Sequence, residues 1–184
     1  MMDWYSLVKL LHVTAALLWV GGGFALTVLA VRSDMAGDVD GTLGAMKAVG
    51  VLGNRLFMPA SLVTLLFGLV MCWFWVGFSE LWVIIGLAGY MATFLVGSLI
   101  FKPTADRMGE IIARDGVTPA VLVEGRRILK VARFDYTVML IVVADMVLKP
   151  ASGDFGILAV MAVMLVAGTF AAFGPSRQTE PVGA

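Results

Sequence analysis

Four stretches of this chain are apolar over roughly twenty residues or more: about Trp4 to Val31, Leu56 to Phe78, Leu81 to Phe101 and Phe155 to Phe173. A helix needs roughly 20 such residues to cross a hydrocarbon core of about 30 Å. Composition agrees, since 60% of residues are hydrophobic and only 14% charged, with a mean hydropathy of +0.97, far from the values of soluble domains. The first run is longer than a usual signal-peptide core and lacks a strong small-residue cleavage site, so it reads as a retained span.

A fifth span is expected from Phe134 to Leu148, a shorter run that contains Asp135 and Asp145. Thr118-Pro119 is a good helix start and Lys149-Pro150 a good stop. Together they predict one long helix whose charged first half stands in water and whose apolar second half enters the membrane.

The basic residues set the orientation. With five crossings, Arg32, Lys47, Arg55, Lys102, Arg107, Arg114, Arg126, Arg127, Lys130, Arg133 and Arg177 gather on one side, leaving only Lys9 and Lys149 on the other. The expected fold is therefore an all-α integral membrane bundle of five transmembrane helices over residues 1–174. Its N-terminus is outside and its C-terminus cytoplasmic, with a flexible cytoplasmic tail at 175–184. The segment "TADRMGEIIARDG" reads as a short amphipathic helix that rests on the inner surface or packs on the bundle. Residues 34–53 have no clear period before Leu43 and read as a loop leading into the second helix.

Thirteen basic residues balance thirteen acidic ones, which argues against a nucleic-acid partner. The lone cysteine, Cys72, excludes an intrachain disulfide and any thiolate cluster. Any metal chemistry must then use few protein ligands.

One histidine, His12, lies within the first apolar run. A titratable side chain in a span is expensive and suggests an ion, proton or cofactor site. At 1.5 Å per residue it lies roughly 12 Å below the outer end of a helix starting near Trp4. Met71 and Cys72 of the second span, Tyr90 of the third and Asp145 of the fourth fall in the same layer. Ala16, Gly23 and Thr27 share the His12 face and are small, so this face is expected to point into the bundle. Gly21, Gly22 and Gly23 expose backbone over a turn, which admits a neighbouring helix or a flat ligand.

This layer suits several chemistries. His12 can serve as an axial haem ligand, with Asp145 or Tyr90 fixing the ring from behind. Copper(I) would accept His12 with Met71 or Cys72. A proton relay through His12 and Asp145 towards a quinone is physically possible. The same residues also serve plain packing, in which His12 donates one hydrogen bond to a neighbouring helix. At the other end of the spans, Asp135 is expected to pair with Arg55 or Lys102.

The stretch "WYSLVKLLHVTAALLWVGGGF" resembles the first span of a loose group of small bacterial membrane proteins. They are the CopD-like copper-resistance family, the HemJ-type protoporphyrinogen oxidases and an integral membrane family, DUF2269. Lys9, His12, Trp19, Gly21 and Gly22 carry the resemblance, and "FKPTADRMGEI" is most similar to DUF2269. The resemblance implies a multi-pass protein of the bacterial cytoplasmic (inner) membrane that binds haem b through His12, and the layer described above is expected to set Gly22, Tyr90 and Asp145 near the cofactor. Copper held by His12, Met71 and Cys72 is the alternative. On the haem reading an electron passes between a quinone or membrane redox partner and the centre in a homo-oligomeric bundle, and a noncatalytic accessory subunit of a larger membrane complex is the other alternative. HemJ-type proteins carry a functional lysine in the third span, where "LWVIIGLAGYMATFLVGSLIF" has none. CopD-like proteins bring further histidine or methionine clusters, which are missing from this sequence.

Overall fold

Three side chains cap helix starts. Asp3 accepts from the Tyr5 N–H at 3.2 Å, Asp38 from the Gly41 N–H at 2.9 Å, and Thr118 from the Val121 N–H at 3.4 Å. Each fills a donor that a helix start leaves unpaired. Gly37, Gly77 and Gly116 turn the chain between helices with φ of 71°, 90° and 75°, a region that glycine enters without steric cost. The computed structural model describes residues 3–174 and is all-helical there, without strands. Its long helices are α1 (Trp4–Met35), α2 (Val39–Val76), α3 (Leu81–Asp115), α4 (Pro119–Leu148) and α5 (Phe155–Phe173). The expected tail, 175–184, lies outside the described residues.

α4 starts and stops where Thr118-Pro119 and Lys149-Pro150 predict. Lys149 takes a left-handed φ of 48°, and Pro150 cannot continue the helix. Two other prolines sit inside helices, Pro59 in α2 and Pro103 in α3. Each follows a wider π-helical turn, Gly53–Phe57 and Gly97–Phe101 respectively. A proline ring clashes with the carbonyl four residues back, here Arg55 and Leu99. Both carbonyls lie within the widened turns, which let the helices continue.

α1, α2, α3 and α5 are long and apolar enough to cross a membrane. α4 is not, which corrects the expectation of five apolar spans. Its apolar half is shorter than a span and carries Asp135 and Asp145, with Arg133 just before. Both carboxyls are turned inward, Asp135 4% and Asp145 0% exposed. Large apolar side chains such as Leu17, Leu66, Val160 and Phe170 are exposed instead, as lipid-facing surfaces require.

Small residues set the helix contacts. α1 and α2 run antiparallel, with the Tyr5 and Trp75 rings 5.4 Å apart, His12 over Gly68 and Phe57 against Gly22. α3 and α4 do the same, with Met146 against Gly86 and Val142 against Gly89. Thr137 of α4 meets Gly168 of α5, and Tyr136 meets Gly23 of α1.

At 32, 38 and 35 residues, α1, α2 and α3 exceed the roughly 20 that a bilayer needs. Their surplus forms a helical end beyond the apolar spans. There Ala30 of α1, Ala45 of α2 and Leu129 of α4 make a small core with Val31 and Met46, and Arg126 pairs with Asp34 at 3.0 Å. The loop expected at 34–53 is therefore mostly helix, Val39–Leu52. Its weak period was misleading because it packs on two neighbours rather than one. The amphipathic segment 102–115 is helical as expected but continuous with α3. It packs on the bundle, with Met108 buried near Gly125.

Candidate functional site in the apolar layer

His12 is placed by α1 and held by α2. Its Nδ1 lies 2.7 Å from the Thr64 carbonyl oxygen. A carbonyl only accepts, so Nδ1 carries the proton and donates. In the neutral ring the lone pair then sits on Nε2. A histidine whose one nitrogen donates to a carbonyl has the tautomer and fixed orientation typical of a metal ligand. Gly68 makes this possible: a Cβ there would stand 3.1 Å from the ring's Cε1. Thr64 is itself buried, with its hydroxyl turned back to the Ala60 carbonyl at 2.8 Å. Sequence reasoning missed Thr64 as the partner. A small residue one turn away, at Gly68, was the only available signal.

Asp145 does not serve His12 as a hydrogen-bond partner. The register of Gly23 against Tyr136 puts His12 and Asp145 within about one helical turn in depth, so the shared layer is present. The two side chains, however, face different seams, His12 towards α2 and Asp145 towards Gly86 of α3. Tyr90 is buried on α3, its ring 5.4 Å from Trp19 and stacked near Phe94. Neither its hydroxyl nor either Asp145 oxygen has a hydrogen-bond partner among the described residues.

Cys72 is buried on α2, on the same face as Thr64 and Gly68 at successive four-residue steps. The pairing of Tyr5 with Trp75 and His12 with Gly68 sets Cys72 opposite Val8, one turn from His12. Met71 is half-buried beside it. Among the described residues no three His, Cys, Asp or Glu side chains group as a metal site. Gly22, expected to admit a flat ligand, instead receives the Phe57 ring, and Gly21 stands open. Gly23 is closed by the Tyr136 hydroxyl.

Beside His12 on the same α1–α2 seam runs a groove of about 310 Å³, lined by Leu11, Thr14, Ala15 and Leu18 of α1 and by Leu56, Pro59, Ala60 and Val63 of α2, with Arg55 at one end. It is almost wholly apolar apart from Thr14 and Arg55. The expected pairing of Asp135 with Arg55 or Lys102 does not form. Lys102 pairs with Asp106 at 2.9 Å, one turn along its own helix.

No similar curated protein and no similar solved structure was found. A family model described as a predicted integral membrane protein matches residues 6–150. The match spans α1 to α4, including His12, Thr64, Tyr90 and Asp145, and the chain belongs to this integral membrane family, DUF2269.

Proposed function

We propose that this protein binds haem b in the membrane, with Nε2 of His12 as the axial ligand, and serves redox chemistry. The observation that carries this reading is the His12–Thr64 hydrogen bond, which leaves one imidazole lone pair free of backbone partners. The neighbouring groove supports it. Its apolar walls, small at Ala15 and Ala60, lie on the same seam one turn inward of His12, which is not itself among the residues that line it. Bound haem would supply one-electron transfer with a membrane partner such as a quinone. With one histidine per chain, any further protein ligand to the haem would be a methionine or the histidine of another copy.

In the same reading α4 crosses the membrane between α3 and α5, giving five crossings with the basic ends of the helices in the cytoplasm of a bacterium. Its carboxyls tolerate this because they face the bundle. Copper is the second reading, resting on Cys72, which shares the His12-facing side of α2.

The test is the reduced-minus-oxidised visible spectrum of protein expressed with ample haem and purified in mild detergent. A Soret band with sharp reduced peaks, lost in His12→Ala, is the expected result. A featureless wild-type spectrum overturns it. Copper retained by the wild type and lost in His12→Ala would then favour the second reading.

A further inference from the structure

Asp145 and Tyr90 have no part in the His12 site and form a seam of their own. Trp82, Gly86 and Tyr90 occupy successive turns of α3, and they are faced by Asp145 in the last turn of α4 and by Lys149 just past its end. The Lys149 Nζ lies 4.9 Å from the centre of the Trp82 ring. One turn further in, Asp145 Oδ2 lies 3.5 Å from where a Gly86 Cβ would stand, with Met146 filling the rest of that space. Asp145 is 0% exposed, and both its oxygens are without a hydrogen-bond partner among the described residues. The Tyr90 hydroxyl, next inward, is in the same position.

A carboxylate so enclosed needs a counter-charge. Among the titratable and charged groups around it, the apolar part of α3 brings only Tyr90, and α5 brings none. α1 presents Trp19 to Tyr90, while its His12 is turned to Thr64. Glu80, just before α3, has the wrong sign. Among the described residues Lys149 is the cation on this seam, and it rests on Trp82. The packing around Gly86 favours the smallest occupant. We propose that Asp145 is a proton-binding site, covered by Lys149 on Trp82, with the Tyr90 hydroxyl as the next hydrogen-bonding group inward.

The exchange step balances in charge. When Lys149 leaves Trp82, the Asp145 O–H bond breaks and the proton passes to water at the Lys149 end. The carboxylate that remains lies four residues before Lys149, whose ammonium can then turn from Trp82 to pair with it. Return of a proton reverses both changes. The site stands apart from the haem reading and does not need it.

Infrared spectroscopy of the full chain in lipid nanodiscs tests this directly. A carboxylic-acid C=O band at neutral pH should be absent from Asp145→Asn, retained in Asp135→Asn, and shifted on transfer to D2O. Lys149→Gln should speed that D2O shift several-fold. If Asp145→Asn fails to fold, Asp145→Glu should keep the acid band and move its position. A band indifferent to the Asp145 substitutions, or one that never responds to D2O, overturns the proposal. Because no haem signal is read, its failure and that of the haem reading are distinguishable.

Discussion

The imidazole Nδ1 of His12 donates to the Thr64 carbonyl across 2.7 Å, joining the first and second membrane helices. That carbonyl already faces the Gly68 N–H within its own helix, so the histidine takes its second lone pair. The bond costs α2 no helical hydrogen bond and fixes the ring in one orientation. A side chain held this way is pre-set for a ligand at Nε2.

Replacing His12 with alanine should remove one interhelical hydrogen bond and leave a part-filled cavity. We expect a loss of about 1–3 kcal/mol in stability in detergent, from the bond and the packing together. Thermal unfolding of wild type and variant checks this. Added imidazole should restore the haem spectrum to the variant if the histidine is the ligand.

Glycine contacts separate tolerant from intolerant positions. A Cβ at Gly23 would collide with the Tyr136 hydroxyl, whereas one at Gly44 or Gly50 meets nothing within 4 Å. Gly23→Ala should therefore destabilise by about 1–3 kcal/mol, and Tyr136→Phe in the same chain should recover part of it. Gly44→Ala and Gly50→Ala should be neutral or stabilising by up to about 1 kcal/mol through helix propensity. Melting temperatures of the four variants decide.

The ion pair of Arg126 with Asp34 joins α4 to α1 at 3.0 Å, but the arginine side chain is 64% exposed. Screening limits it to about 0–1 kcal/mol. Arg126→Ala should lower stability slightly at low salt, and the difference should vanish at high salt. A salt-independent loss would assign Arg126 a packing role.

Cysteine labelling of a Cys72→Ser background tests the path of α4. Cysteines at Gly116 and Gly153 flank the helix, and membrane-impermeant reagents should reach only Gly153→Cys in intact cells. Labelling of both from the same side would mean that α4 does not cross.

Much of the architecture was legible because it is written locally. Thr118-Pro119 and Lys149-Pro150 mark both ends of α4, where cap geometry needs only neighbouring residues. The four fully apolar runs became membrane-length helices for the same reason, since length and hydropathy alone decide them. The depth of His12 and Asp145 also followed from counting at a fixed rise per residue. Segment 39–52 was misread because its helix is sustained by contacts from α1 and α4, which a single helical period does not reveal.

Sequence by itself thus determined a membrane bundle, both ends of α4 and the layer that holds its polar groups. Only the tertiary structure decided which seam each group faces. His12 meets Thr64 because Gly68 lets α1 approach α2, and Asp145 meets Gly86 because α3 lies on its other side. The physical reason is angular. Depth is additive along one helix, but partner choice depends on how several helices are rotated against one another, and that rotation is settled by contacts between residues far apart in the chain.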